Sequence, residues 1–182
     1  MWKILKSALN SHKTEETGST TVEFMIAMPL VVFWFAGTYT FFDAYSEWTR
    51  SVKATYTVAD ILSRQTEIDD DYIDDMNALF ASIMGESSNK TYLVISSIEK
   101  ANDTLSIHWT DASGLHTGLA NDTEIPTSII PNILNGEHVI LVESHMPFVP
   151  FQTNVGLTSQ TLSKQVVVSP RFASKLANSD RS

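Results

Sequence analysis

The chain has no cysteine, and only 12 Lys and Arg residues stand against 21 Asp and Glu, which gives a net charge of −9. A chain without cysteine contains no disulfide, which fits an exported bacterial domain that folds without one. The shortage of basic residues argues against nucleic-acid binding, because that function needs a cationic face to meet phosphate. A length of 182 residues suits one domain with its own core rather than two.

Charge is also missing from one continuous stretch, Phe24 to Phe42, which reads FMIAMPLVVFWFAGTYTFF. Its 19 uncharged residues, at a helical rise of about 1.5 Å each, approach the roughly 30 Å thickness of the hydrocarbon core of a bilayer. The alternative is a buried core helix, but such helices are usually shorter and carry a polar face. We therefore predict a transmembrane helix over residues 19–42, in contact with the lipid bilayer.

The charges on either side of this run predict its orientation. Residues 1–18 carry three lysines against two glutamates, whereas residues 43–182 carry nine Lys and Arg against 18 Asp and Glu. The positive-inside tendency places the N-terminus in the cytoplasm and the acidic part outside. Arg50 and Lys53 follow the run closely and weaken this orientation.

The N-terminus does not have the layout of a conventional secretory signal. In such a signal an apolar region of about 7 to 15 residues is followed by a small-residue cleavage site. Here the apolar run is longer, Asp43 follows it, and the only small-residue break, at Gly18, lies before it. A glycine suits a protease cleft because it adopts extended or unusual backbone conformations without a side-chain penalty. A plain turn at Gly18 is the alternative.

The stretch GSTTVEF, residues 18–24, leads from this glycine into the apolar run. A leader with lysines, a glycine, a glutamate five residues later and an apolar helix form the layout of a type IV prepilin cleavage site. With Pro29 inside the run and an aromatic helix after it, this region resembles the TadE-like family, the minor pilins or pseudopilins of tight adherence (Flp-type) pilus systems. VESHMPFVPF and TLSKQVVVSPR are similar to the closing strands of that family. Phe24 stands where the usual motif has tyrosine.

The resemblance implies a function and a set of partners. It implies a single-pass protein of the bacterial inner membrane that is cut by a prepilin peptidase between Gly18 and Ser19, with its C-terminal domain in the periplasm. Such a protein takes part in tight adherence pilus assembly and surface adhesion, together with other pilins and inner-membrane assembly proteins. The large outer part favours a minor subunit, since the major pilins of this system are much shorter.

Glu23 and Phe24 belong to this processing motif, and Glu23 raises an energetic question. A charged side chain at the centre of a membrane helix costs on the order of 2.5 to 3.5 kcal/mol on insertion scales. The resemblance implies that the new amine of Ser19 in a neighbouring subunit pairs with Glu23. The alternative is that Glu23 lies in the headgroup region and interacts with the N-terminal dipole of the helix. Pro29 removes one backbone hydrogen bond, and we expect it to kink the helix.

After the membrane segment, apolar and aromatic residues recur at alternating spacings of four and three, which predicts that the helix continues to about Arg64. We interpret this stripe as the face that packs on the outer domain of the same chain; a seam between chains is the alternative. Its aromatic part, with Tyr39, also suits the belt at the outer membrane interface. The stripe consists of Phe41, Tyr45, Trp48, Val52, Thr55, Ala59 and Leu62.

The remaining pattern predicts an α+β fold. IDDDYIDDMNALFASIMG has one apolar face, Asp residues for an N-cap and Gly85 for a stop, and therefore predicts a second helix. TYLVISSIEK and LSIHWTD predict a hairpin, and EHVILVESHM and QTLSKQVVVS predict two more strands of a roughly four-stranded antiparallel sheet. The domain boundaries that follow are 1–18 for the leader, 19–42 for the membrane helix, 43–66 for its continuation, 67–172 for the α+β domain and 173–182 for a flexible tail.

No catalytic or metal-binding pattern is present in the sequence. His108, His116, His138 and His145 show no metal-ligand spacing, and His138 and Glu143 alternate in one strand as surface residues would. The Asp cluster before the second helix lacks the spacing of a calcium loop. We therefore expect no enzymatic activity, cofactor, metal or small-molecule substrate. Two other functions stay open: an uncleaved, signal-anchored periplasmic binding or scaffold module, and a membrane-anchored hydrolase that uses the histidines.

Overall fold

The structure, a computed structural model, describes residues 2–153 and 156–181, with side chains from Thr20 onward. Its contacts divide into two compact units, one of residues 1–43 and 150–157 and the other of residues 44–149 and 158–182. The chain contains a long N-terminal helix, a second helix and a four-stranded antiparallel sheet. The predicted α+β class is therefore confirmed.

The first helix, α1, extends from Trp2 to Ser63 and continues through Pro29. Its end lies one residue before the Arg64 predicted from the sequence. The unit of residues 44–149 and 158–182 is called here the outer unit. Within it, buried positions of α1 recur at helical spacing: Ser51, Ala54, Thr55, Val58, Ala59 and Leu62. The predicted stripe is thus confirmed for its last three members, whereas Tyr45 remains 70% exposed and Trp48 42% exposed. The difference arises because, among residues 44–63, the buried positions of α1 begin at Ser51.

The second helix, α2, spans Asp70–Met84 and has the two ends that its sequence predicted. The side chain of Asp69 caps the N-terminus by accepting a hydrogen bond of 2.8 Å from the backbone N–H of Tyr72. Gly85 ends the helix at a φ of 74°, in the left-handed region that favours glycine. The apolar residues between these caps give α2 one buried face, which includes Ile73 and Phe80.

The sheet has four strands: β2 at Tyr92–Ala101, β3 at Thr104–Ala112, β4 at His138–Phe148 and β5 at Gln160–Val168. Their order in the sheet is β3-β2-β4-β5, and every neighbouring pair is antiparallel. Asn102 and Asp103 join β2 to β3, and both have positive φ values, 52° and 63°. A two-residue turn with positive φ at both positions matches the right-handed twist of the strands, which explains why the predicted hairpin forms at this site.

The two faces of the sheet carry separate apolar clusters because side chains alternate along each strand. One face holds Ile140 and Val142 of β4, which share the main core with the buried residues of α1 and α2. The opposite face holds Val139 and Leu141, which pack with residues of the connection between β3 and β4. That connection contains a short 3-10 helix, Asp122–Glu124. The faces are called here the helix face and the loop face.

The C-terminal segment differs from the flexible tail that the sequence predicted over 173–182. Its strand β6, Ala177–Asn178, pairs in parallel with β1, Glu67–Ile68, and Leu176 is fully buried. The indole N–H of Trp109 donates a hydrogen bond of 2.7 Å to the carbonyl oxygen of Leu176. The described part of this segment is therefore packed into the outer unit. The sequence predicted a flexible tail because this segment has no long apolar pattern. One buried leucine and a two-residue strand pair hold it instead.

Candidate functional site

From Thr20 to Phe35, α1 is exposed on all sides. Phe24, Met25 and Ile26 are exposed by 63%, 70% and 66%, although consecutive residues point about 100° apart around a helix. Trp34 and Phe35 show the same exposure further along. Within the part of the chain whose side chains are described, α1 is the one helix long and apolar enough to span a membrane. Large apolar side chains exposed around a whole helix indicate a surface that water does not normally contact.

Glu23 stands at the head of this apolar segment, with its side chain exposed. Among residues 20–153 and 156–181, no cationic side chain forms an ion pair with its carboxylate. Phe24 follows it and is also exposed. A carboxylate in this position is therefore available to a partner outside the described residues.

Pro29 and two threonines affect the hydrogen bonds of the apolar segment. Pro29 is helical but has no N–H to donate to the carbonyl of Met25, so the helix lacks one bond there. The hydroxyl of Thr38 donates to the carbonyl of Trp34 at 3.0 Å, and that of Thr40 donates to the carbonyl of Ala36 at 2.8 Å. The two hydroxyls are thus satisfied within the helix itself, as a lipid environment requires.

The predicted cleavage residues Gly18 and Ser19 lie outside the residues whose side chains are described. Their backbone lies within α1, directly before Thr20 and the apolar segment, so the helix is not interrupted by a turn at Gly18. Of the predicted processing motif, the side chains that the structure describes are those of Glu23 and Phe24.

The loop face of the sheet carries a stack of three rings that the sequence analysis did not predict. The Tyr92 ring stacks on the imidazole of His145, with centroids 4.4 Å apart, and on that of His116 at 3.8 Å. Tyr92 and His145 meet because they are directly opposite each other in the β2–β4 register. The Oγ of Ser163 on β5 lies 2.9 Å from the Nδ1 of His145. Burial, followed by the charge of His116, lowers the pKa of His145.

Glu143 lies beside this stack and is buried, with 7% of its surface exposed. This corrects the prediction that it is a surface residue of its strand. β4 pairs with β2 on one edge and β5 on the other, the β3–β4 connection packs on its loop face, and Gln165 of β5 donates a hydrogen bond to the Glu143 carboxylate. Burial raises the pKa of Glu143, the bond from Gln165 opposes this shift, and the charge of Glu124 adds to it.

The other two histidines of the outer unit meet near one end of the sheet. The rings of His108 and His138 are perpendicular, with centroids 5.4 Å apart, and the Nζ of Lys175 lies 3.2 Å from the Nε2 of His108. His138 also corrects a surface prediction, since 10% of its side chain is exposed. Burial lowers its pKa, although the charge of Glu99 acts in the opposite direction. In the portion of the chain described by the structure, no three His, Asp or Glu side chains form a metal-binding group.

A cavity of about 430 Å³ opens between α2 and the segment after β3. Its wall includes Asp74, Asn77 and Thr91, and these polar groups already have partners in the protein. Asp74 accepts a bond of 2.7 Å from the N–H of Gly114, and the Asn77 amide donates to the carbonyls of Ser88 and Thr91. The cavity wall is therefore held together by its own hydrogen bonds.

The ring stack and the buried carboxylate both depend on register. Tyr92 and His145 are separated by more than 50 positions along the sequence, and the spacing of either residue to its own neighbours is ordinary for a strand. To predict the contact of these two residues, one would have had to know that β2 pairs with β4 and in which register. The sequence gives the alternation of each strand but not this register.

Comparison of the chain with protein-family models, curated proteins and solved structures finds no match. The fold and the exposed apolar helix therefore define a class only: an α+β protein with one N-terminal helix that is long and apolar enough to cross a membrane.

Proposed function

We propose that the chain is a TadE-like minor pilin or pseudopilin, anchored by α1 in the inner membrane and processed after Gly18. In this proposal it takes part in the assembly of a tight adherence pilus and in adhesion to surfaces. Its partners are a prepilin peptidase, other pilins and the inner-membrane assembly proteins. The proposal rests on the resemblance of the N-terminal region and on the physical character of α1.

One observation carries the proposal: Glu23 is exposed directly before apolar residues that are exposed all round as far as Phe35, and no described cation pairs with it. A helix that only tethers a domain has no need of a carboxylate at this position. Ionised carboxylates are expensive near hydrocarbon, on the order of 2.5 kcal/mol or more at a helix centre. A partner that supplies a cation removes much of this cost, and cleavage before Ser19 creates a terminal amine four residues from Glu23.

The first experiment is intact-mass and N-terminal analysis of the protein from its native membranes, with and without the resident prepilin peptidase. We expect a chain that begins at Ser19 only when the peptidase is present. Gly18→Val is expected to block this cleavage, and Ser7→Val, a substitution of similar size inside the leader, is the matched control. A chain that retains residues 1–18 in both strains would contradict the proposal and favour an uncleaved, signal-anchored periplasmic module.

The second experiment separates processing from assembly. Glu23→Gln keeps the size of the side chain and removes its charge, so we expect cleavage to continue while co-purification with other pilins is lost. Glu86→Gln is the control, because Glu86 lies in the outer unit and its partner is Lys90 at 3.2 Å. Undiminished pilus assembly by the E23Q protein would show that the charge of Glu23 has no role between subunits.

A further inference from the structure

The connection between β4 and β5 contains exposed apolar side chains that neither strand explains. Val149 and Phe151 are exposed by 71% and 72%. Both lie within the interval between Glu143 and Lys164, 20 residues without Asp, Glu, Lys or Arg in the sequence. No other interval in the acidic region after Asp43 is uncharged over such a length. An apolar and uncharged connection on an acidic domain indicates a surface that water does not normally surround.

Residues 150–157 belong to the same compact unit as residues 1–43, rather than to the unit that contains the sheet. Within this unit the ring of Phe151 meets the ring of Tyr39 on α1 edge to face, with centroids 5.6 Å apart and planes at 79°. This is a favoured geometry for two aromatic rings. The connection therefore packs on the helix at the level of Tyr39.

The position of Tyr39 along the apolar segment of α1 determines what surrounds Phe151. Tyr39 precedes Asp43, the first charged residue after the segment, by about one helical turn, or roughly 6 Å along the axis. If α1 spans the membrane, this turn lies where the hydrocarbon meets the headgroups, the region in which aromatic side chains are enriched. Phe151 lies at the same depth because its ring contacts Tyr39.

We propose that Phe151 inserts into the outer interface of the bilayer and, together with Tyr39, forms a second membrane contact of this protein. This inference rests on the membrane anchoring by α1 in the proposed function. The occupant of the surface is lipid, at the boundary between acyl chains and headgroups. The lack of carboxylates in the connection favours this occupant, because anionic lipid would repel an acidic segment and hydrocarbon would not admit it.

Exposure alone does not identify this contact, and the chain provides a matched control. Phe172 is also 72% exposed, but it follows Arg171, whose N–H donates to the carbonyl of Ser63 at the C-terminal end of α1. Phe172 is therefore next to the end of the helix that lies away from the apolar segment. A change at Phe172 alters the same type of side chain at the same exposure.

The test uses the absence of native cysteine in the full-length chain, reconstituted in liposomes of phosphatidylethanolamine and phosphatidylglycerol. Single cysteines at Phe33, Gln152 and Asp103 each carry a nitroxide, and accessibility to oxygen is compared with accessibility to a water-soluble nickel chelate. Phe33 is the midpoint of the apolar run, and Asp103 is 85% exposed in the β2–β3 turn. We expect the oxygen-to-nickel ratio at Gln152 to lie between those of the other two labels.

Adding Phe151→Asp to the Gln152 label should lower its ratio to the value at Asp103, whereas adding Phe172→Asp should leave it unchanged. A Gln152 label that equals Asp103 while Phe33 remains in lipid would overturn this inference and leave the membrane span intact. A Phe33 label accessible to nickel would overturn the membrane anchoring itself. Protection of Gln152 from both reagents that disappears on dilution in lipid would assign the surface to a second copy of the chain.

Discussion

The hydroxyl of Thr55 on α1 and the hydroxyl of Ser144 on β4 lie 2.7 Å apart, in the buried contact between the helix and the sheet. Thr55 has one hydroxyl proton, and it donates that proton to the carbonyl of Ser51 at 2.8 Å. Ser144 is therefore the donor to Thr55. This bond joins the predicted continuation of the membrane helix to the central strand of the sheet.

Thr55→Val leaves the Ser144 hydroxyl buried without its acceptor, so we expect it to lower the free energy of unfolding by about 1 to 3 kcal/mol. Urea unfolding of the full chain in mild detergent, followed by circular dichroism, measures this change. Combining it with Ser144→Ala should cost less than the sum of the two single changes. Thr57→Val is the control, because exposed Thr57 makes the same bond to the residue four positions earlier, at 2.9 Å, without a partner on the sheet.

The C-terminal segment is held by an ion pair with a mostly buried carboxylate. The guanidinium of Arg181 lies 2.5 Å from Asp111, whose side chain is 9% exposed. Arg181→Ala leaves that carboxylate without its cation, and we expect a loss of about 1 to 3 kcal/mol in the free energy of unfolding. Arg64→Ala removes a pair with Asp60 in which both side chains are well exposed, and should cost no more than about 1 kcal/mol. Equal losses for the two variants would contradict the role assigned to the C-terminal segment.

Because of Glu143, the free energy of unfolding should fall as the pH rises above the ordinary pKa of a glutamate side chain. Its pKa is higher in the folded protein than in the unfolded chain, chiefly because of burial, so the folded state binds the proton more tightly. The stabilisation is complete below the unfolded pKa of about 4.3 and is lost as pH rises through the folded value. Glu143→Gln removes this titration, so its stability relative to the native protein should increase between pH 4 and pH 7. A constant difference across that interval would contradict the burial of an ionisable Glu143.

The half-buried histidines His145 and His138 predict the opposite dependence of stability on pH, in a separate pH interval. The pKa of His145 is lower in the folded protein, first because of burial and then because of the charge of His116. Its contribution is present above the unfolded pKa of about 6.5 and is lost as pH falls through the folded value. Unfolding measured from pH 7.5 to pH 5 should therefore show decreasing stability. His145→Phe preserves an aromatic ring beside Tyr92 and should reduce this slope, while His138, whose pKa is also lowered, maintains the rest.

Elements with local signals were predictable from the sequence. The Asp N-cap of α2, its stop at Gly85 and the hairpin of β2 and β3 depend on residue types within a few positions, and the structure contains all three, with Asp69 as the cap. The apolar segment was visible because its length and lack of charge need no partner to be recognised. Local chemistry alone decides these features.

Features that depend on distant pairing were not predictable. β1 and β6 have two residues each, which is too few to show a periodic pattern in the sequence. Only the pairing of Glu67 with Ala177 defines them as strands. The burial of Glu143 requires that β4 be central and that the connection before it cover the loop face. The contact of Phe151 with Tyr39 likewise joins two segments more than 100 positions apart. Single-sequence patterns describe faces of elements but not which faces meet.

The hydroxyls of Thr38 and Thr40 have a consequence for transfer of the helix between environments. Each is bonded to a carbonyl of its own helix, so neither requires a partner from lipid, detergent or protein. Moving this turn from one environment to another would break neither of these bonds. Neither hydroxyl therefore favours one environment over another. A preference of the helix for lipid or protein surroundings has to come from other groups, such as the Glu23 carboxylate.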